Sequence, residues 1–235
     1  MTTEVVSVKE SGKDNGVSKD KYRLIGPVYD FLSALYSGKS IHQCKIGMLN
    51  SDQVRPGDKI LFAGVGHGKD AIHAAELGAE VTVVDLSATM LRKFEEGLQE
   101  QNKSHLPIRQ VHADIFKFDE LEEFDMVVAN FFLNVFEEDT MTKVLEHLIA
   151  LTKKGGKVVV GDFAFPTGNL VSRLFKKTYW YLAVSLFWLF ANNAMHSIYN
   201  YPEHMKKQGL IIRDRKYFKL LNVNCYWSVL GYKSL

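Results

Sequence analysis

The sequence lacks most of what would mark a specialised chain. Of its 235 residues only two are cysteine, Cys44 and Cys225, far apart. A disulfide framework is therefore excluded, and no C-x-x-C pair offers thiolates to a metal. A reducing, cytoplasmic setting follows most simply. Charge of one sign is also missing: 29 Lys and Arg against 27 Asp and Glu leave a formal net charge of +2. Such a balance provides no basic field for a nucleic-acid backbone. Residues 1–20 contain no run of seven apolar residues, so a signal-peptide core is absent, and their Ser, Thr, Lys, Asp and Gly content predicts a flexible tail. The longest apolar stretch, Tyr179 to Ala191, falls short of a ~30 Å hydrocarbon core at about 1.5 Å per helical residue. Ser-His-Asp and H-E-x-x-H signatures are missing. His73, His105, His112 and His147 share no ligand spacing, so no metal site is expected.

What remains is an ordinary globular composition, 46% hydrophobic and 24% charged. No repeat, low-complexity block or Pro/Gly-rich linker divides it, so residues 21–235 are predicted to form one domain. From Lys59 onward strand and helix signals alternate. Lys59–Gly64 is a short apolar run ending in glycine. Gly68–Leu77 is Ala-rich and closed by Gly78, and Glu80–Leu86 is β-branched. Ser87 is placed to cap a helix carrying Leu91, Phe94 and Leu98. Further strands are predicted at Ile108–Asp114, Phe124–Asn130 and Lys157–Phe163. Between the last two lies a helix with Met141, Val144, Leu145, Leu148 and Ile149 on one face. Glu137–Asp139 stand at its start and Lys153–Gly155 at its end. Pro202 suits a first helical turn ended by Gly209. Leu210–Leu221 and Asn224–Tyr232 read as an antiparallel pair. The expected fold is α/β: a doubly wound, mostly parallel seven-stranded sheet, helices on both faces, with that antiparallel pair at its C-terminal end.

The segment richest in chemistry is Phe62-Ala-Gly64-Val-Gly66-His-Gly68, passing from the first strand to the first helix. Glycines let backbone turn sharply and approach a ligand, and the helix behind them presents free N–H groups. Asp85 ends the next strand, 21 residues after Gly64, where a carboxylate can accept from ribose hydroxyls. A dinucleotide fingerprint would require glycine at position 69, which is Lys69. The spacing here is G-x-G-x-G.

That spacing resembles motif I of class I S-adenosylmethionine-dependent methyltransferases. Asp85 at the end of the second strand, Ala113-Asp114-Ile115 after the third, Ala129-Asn130-Phe131-Phe132 after the fourth and Lys153-Lys-Gly-Gly156 before the fifth extend the resemblance. It covers Arg55 to Phe163 well and the remainder loosely. The small-molecule branch containing the ubiquinone/menaquinone-type enzymes is most similar, and Pro27-Val-Tyr29-Asp30 also resembles it. The resemblance implies a Rossmann-like domain with N-terminal cap helices in 21–50 and a helical lid insertion in 165–208. It implies S-adenosylmethionine as cofactor, held by Gly64, Gly66, Gly68, Asp85, Leu86, Asp114, Ile115 and Asn130. One position departs: the family carries an acid where Phe62 stands.

The implied reaction is methyl transfer to a small, hydrophobic acceptor, with no nucleic acid involved. Asn130-Phe131-Phe132 lacks the prolines of the N-P-P-Y-type motif of nucleic-acid methyltransferases. In-line transfer from a sulfonium is mainly positioning work, and a base is needed only if the acceptor must lose a proton. Catalytic candidates are His196, Tyr29 and Asn130. Phe131, Asn134 and Asp162 join them near the acceptor, with Tyr22 and Tyr36 folding over from the N-terminal segment. Tyr179–Ala191, preceded by Arg173, Lys176 and Lys177, suits a lid or core, or peripheral membrane contact. Three rivals remain: a non-catalytic S-adenosylmethionine-binding protein, a dinucleotide-dependent oxidoreductase, and an enzyme that uses the same cofactor to move a group other than methyl.

Overall fold

Period-two alternation sorts each central strand onto two cores. In β2 (Lys59–Ala63) Leu61 and Ala63 face one side of the sheet, while Ile60 and Phe62 face the other. The computed structural model describes residues 6–7, 39–191 and 196–235. In chain order the elements are β1 (Val6–Ser7), a helix α1 at 39–46, β2, α2 (Lys69–Glu76), β3 (Glu80–Asp85), α3 (Ala88–Glu100), β4 (Ile108–His112), β5 (Phe124–Asn130), α4 (Glu138–Leu151), β6 (Thr152–Phe163), α5 (Leu170–Ala191), α6 (Tyr201–Lys207), β7 (Ile211–Leu220) and β8 (Val223–Tyr232).

The sheet order is β1-β4-β3-β2-β5-β6-β8-β7. Pairings from β1 to β6 are parallel, and β6–β8 and β8–β7 are antiparallel. The seven expected strands are all there. Two residues from the segment read as a loose tail add an eighth, Val6–Ser7, pairing with Val111 and His112. They cover the β4 edge, whose backbone groups would otherwise lack partners. The other edge, β7, alternates exposed and half-buried residues and carries Arg213, Arg215 and Lys219 outward, which discourages further strand pairing.

On one face α4 and α6 pack Met141, Val144, Leu145, Leu148 and Met205 against Val127, Val158 and Trp227. On the other, α2 and α3 pack Ala71, Ala74, Leu91, Phe94 and Leu98 against Ile60, Val81, Val83 and Met126. A third cluster, Cys44, Phe163, Trp180, Ile198, Cys225 and Tyr226, gathers chain from α1, β6, α5 and β8.

Two boundaries differ from expectation. The helix read as closing on Lys153–Gly155 ends at Leu151, and β6 begins at Thr152. Lys153 is drawn to Asp125 at 2.9 Å, and Gly155 and Gly156 exchange backbone hydrogen bonds with Lys233. These partners extend the strand. The hairpin turn lies at Leu221 and Asn222, one residue or more before the position expected. Both have positive φ, 47° and 65°, the conformation of a two-residue hairpin turn.

The strand order reverses at β2, whose neighbours are β3 and β5. Such a switch point opens a crevice at the carboxyl ends of the strands. Connections from β2, β3, β4 and β5 all emerge there.

Candidate functional site

The loop after β2 turns on three glycines with positive φ: Gly64 at 78°, Gly66 at 49° and Gly68 at 65°. Non-glycine residues rarely adopt this region. The three have different surroundings. A Cβ on Gly68 would collide with the Phe94 ring, and one on Gly64 would lie 2.8 Å from Phe132. A Cβ on Gly66 would meet only Lys45 Nζ, at 3.5 Å, among the described residues. Gly64 and Gly68 thus make room for neighbouring rings, while Gly66 presents bare backbone to the crevice.

Asp85 locks this loop. Its Oδ2 accepts from the Val65 N–H at 2.8 Å and its Oδ1 from the Ser87 N–H at 2.8 Å. Leu86, next along, is 55% exposed at the tip of β3. Asp114 follows β4 and its Oδ1 accepts from the Phe116 N–H at 3.0 Å, capping the short turn Ile115–Lys117. Ile115 is buried in the α4-side core. Asp85, Leu86 and Asp114 therefore occupy adjacent strand tips, joined by the Ala113 N–H bond to the Asp85 carbonyl at 3.2 Å.

Phe62 is 2% exposed and belongs to the core on the α2 side, as its register with Ile60 dictates. Where the resemblance wants an acid, the strand therefore presents a core hydrophobe. A carboxylate stands nearby on another element. Asp70, in the first turn of α2, is buried and accepts from Asn130 Nδ2 at 2.8 Å through Oδ2. Asn130, the last residue of β5, also donates to the Lys45 carbonyl at 3.0 Å. Gly161 makes this possible, since a Cβ there would overlap Asn130 Oδ1. Asn130 thus ties α1, α2 and β5 together at the crevice.

Beyond β5 the third core cluster begins, an aromatic one whose inner rings Phe163, Trp180 and Tyr226 are buried and whose edge is the half-buried Phe131. Phe131 holds a positive φ of 53°, a strained state for a large side chain. Its ring meets Phe163 at 5.7 Å and Tyr226 at 5.9 Å, both edge-on. Phe163 also packs on Trp180 at 4.9 Å and on Tyr179 at 5.8 Å. The Tyr179 and Tyr226 hydroxyls lie 2.6 Å apart. Between α5 and the chain after it is a cavity of about 240 Å³ lined in part by Phe165, Trp180 and Ile198.

Under this aromatic wall sits Asp162. Its Oδ1 accepts from Asn134 Nδ2 at 2.9 Å and from the Phe163 N–H at 2.7 Å, and its Oδ2 accepts from the Tyr201 hydroxyl at 2.8 Å. Burial pushes its carboxyl up to about 7, against the opposing pull of those three bonds. Burial also raises the Tyr201 hydroxyl and the Cys44 thiol well above their ordinary values. Both are inert as acids. Cys44 donates to the Trp227 carbonyl at 3.1 Å.

Of the catalytic candidates, His196 turns both ring nitrogens to backbone carbonyls: Nε2 to Asn134 at 2.9 Å and Nδ1 to Ser197 at 2.8 Å. It stacks on Tyr199 with centroids 4.3 Å apart. This is the setting of a histidine held for structure. Tyr29, with Tyr22 and Tyr36, lies outside the described residues. No cluster of three metal-ligating side chains exists among the described residues, and no helix there is long and apolar enough to cross a membrane.

Sequence reasoning missed Asp70, Lys45 and the convergence of Tyr179, Trp180 and Tyr226 on Phe163. Asp70 carries a faint signal: a lone acid just inside a helix that follows a glycine loop. The aromatic convergence carries none, because its members come from four separate segments.

Comparison with known proteins agrees with this layout. Residues 60–156 match a methyltransferase domain family. The ubiquinone/menaquinone biosynthesis C-methyltransferase of Vibrio campbellii is 24% identical over 225 residues, covering 88% of this chain and 85% of that one. The demethylmenaquinone methyltransferase of Clavibacter sepedonicus is 29% identical over 180 residues, covering 75% and 69%. Among solved structures, the 1,6-didemethyltoxoflavin N1-methyltransferase of Burkholderia thailandensis, with 1,6-didemethyltoxoflavin and S-adenosylhomocysteine bound, superposes with a TM-score of 0.66. It is 16% identical and the match covers 95% of this chain and 94% of that one. Residues 60–156 are a methyltransferase domain, and with its glycine loop, strand-tip acids and sheet order the chain is an S-adenosylmethionine-dependent methyltransferase that resembles the class I enzymes of ubiquinone/menaquinone type.

Proposed function

We propose that this enzyme methylates a small, apolar, ring-bearing molecule of the quinone-precursor kind, seated against the wall of Phe131, Phe163, Tyr179, Trp180 and Tyr226. The observation that carries this reading is the aromatic cluster next to Asn130, at the end of the sheet opposite Asp85 and Asp114, with the half-buried Phe131 and Tyr179 at its edge. Pockets for flat apolar ligands are lined in this way, with few polar groups for orientation. The similarity to a ubiquinone/menaquinone biosynthesis C-methyltransferase and a demethylmenaquinone methyltransferase, over 88% and 75% of this chain, supports the same acceptor class.

The residues at the strand tips suit S-adenosylmethionine, which supplies a methyl group on a positively charged sulfur. Backbone at Gly66 is bare and accessible to a ligand. Asp85 stands at the tip of β3 with its oxygens on the Val65 and Ser87 N–H groups, where a carboxylate is suited to accept from ribose hydroxyls. Asp114 uses Oδ1 to cap its turn, and its Oδ2, without a hydrogen-bond partner among the described residues, suits an adenine amino group. Leu86 offers apolar surface beside it, and Ile115 backs the turn from the core. Phe131, at a φ of 53°, ties the end of β5 to the aromatic cluster, and orientation of acceptor and methyl group is the main catalytic task.

An apolar acceptor dissolves in lipid, and the start of α5 exposes Leu170 (78%) and Val171 (77%) with Leu174, beside Arg173 and Lys177. This pattern supports peripheral membrane contact. The near-neutral net charge supports a small molecule over nucleic acid.

The test is product analysis. Enzyme incubated with S-adenosylmethionine and a panel of demethylated naphthoquinols, benzoquinols and polar amines should add a methyl mass to a quinol. Methylation confined to the polar amines contradicts the apolar-acceptor reading.

A further inference from the structure

Binding S-adenosylmethionine in a closed crevice buries an ammonium and a carboxylate at its amino-acid end. Each needs a partner, because an unpaired buried charge is strongly unfavourable. Phe62 cannot serve the ammonium, being a core hydrophobe. Among the described carboxylates at the strand tips, three are engaged elsewhere. Asp85 holds the Val65 and Ser87 N–H groups. Asp114 caps its own turn beyond β4. Asp162 is enclosed by Asn134, Phe163 and Tyr201.

Asp70 remains. It is only 4% exposed, which is unusual for an aspartate with no cationic side chain in contact among the described residues. Its Oδ2 hydrogen bond goes to Asn130 across the crevice. An aspartate serving only the helix dipole works equally well exposed. On the other side of Asn130 stands Lys45, whose carbonyl shares the same Asn130 amide and whose ammonium lies over Gly66. The glycine loop is thus flanked by a negative and a positive group, complementary to an amino acid.

We propose that Asp70 receives the cofactor's ammonium, replacing from α2 the acid that the strand lacks at Phe62, and that Lys45 receives its carboxylate. The assignment rests on the S-adenosylmethionine site placed above. Asn130 is then a positioning residue, setting the Asp70 carboxylate through its amide and fixing the reach of α1.

The experiment compares two ligands by calorimetry. S-adenosylhomocysteine has the amino-acid end; 5′-methylthioadenosine has the adenosine and thioether without it. In the wild type both should bind, the first more tightly. Asp70→Asn, which keeps the size and can still accept from Asn130, should weaken S-adenosylhomocysteine about 10- to 100-fold and change 5′-methylthioadenosine less than about twofold. Lys45→Met, which keeps the backbone carbonyl, should show the same selectivity. Equal losses for both ligands, or none, would overturn the proposal, since a merely structural role cannot distinguish them. If the wild type binds neither ligand, the underlying cofactor site fails and the assignment falls with it.

Discussion

The two ends of the crevice are built by opposite means. The end proposed for the cofactor is made of backbone: three glycines, two strand tips and the N–H groups that Asp85 holds. The end proposed for the acceptor is made of side chains: rings from β5, β6, α5 and β8 that meet only after folding. A site made of backbone must obey local rules of φ and spacing, so it recurs in recognisable form across a family. A site made of packed rings can change members freely while preserving volume and polarity, so it carries specificity.

That contrast can be broken or sharpened by substitution. The largest effect should come from Gly68→Ala, which forces a Cβ into Phe94 at a φ of 65°. A loss of about 3–4 kcal/mol of stability is expected by denaturant unfolding; a loss below 1 kcal/mol would mean the loop is not locked as described.

Next comes Asp162. Its folded-state carboxyl titrates near 7, above the ordinary value of 3.8. The folded chain therefore binds the extra proton, and the associated stability is complete below about pH 4 and lost as pH rises through 7. Between pH 5 and pH 8 the wild type should lose about 2–3 kcal/mol relative to Asp162→Asn. Parallel stability curves for the two proteins would show that Asp162 ionises normally.

Asp85→Ala should cost about 1.5–3 kcal/mol in S-adenosylhomocysteine affinity, read by calorimetry, and leave acceptor KM nearly unchanged. Phe163→Ala should do the reverse, raising acceptor KM about tenfold, a little over 1 kcal/mol, with cofactor affinity unchanged. If each variant moved both constants equally, the two ends would not be separable. The smallest effect is predicted for His196→Ala: kcat within about threefold of wild type, because both ring nitrogens already face carbonyls.

The same contrast explains what was legible in the sequence. The strands from Lys59 to Phe163 could be read because buried parallel strands are continuous apolar runs and their turns require glycine. The end of α4 was misplaced because Lys153 answers to Asp125, 28 positions away, and Gly155 to Lys233, neither visible in a local window. Val6–Ser7 was unreadable for a related reason: two residues carry no period, and only the open edge of β4 makes them a strand. At the site, Gly64, Gly66, Gly68, Asp85 and Asp114 could be named from spacing. Spacing could not reveal that Gly64 and Gly68 chiefly accommodate Phe132 and Phe94, or that a Cβ on Gly66 would meet only Lys45 Nζ among the described residues. Nor could it pair Asp70 with Asn130, which needs the crossing of α2 over the tip of β5.

The most direct test is a calorimetric titration of S-adenosylhomocysteine into the wild type and Gly66→Val, with thermal melts confirming that both are folded. The bare backbone at Gly66 predicts micromolar binding, about −8 kcal/mol, by the wild type and none detectable by the variant. Equal binding by the two proteins, or no binding by the wild type at millimolar ligand, would contradict it.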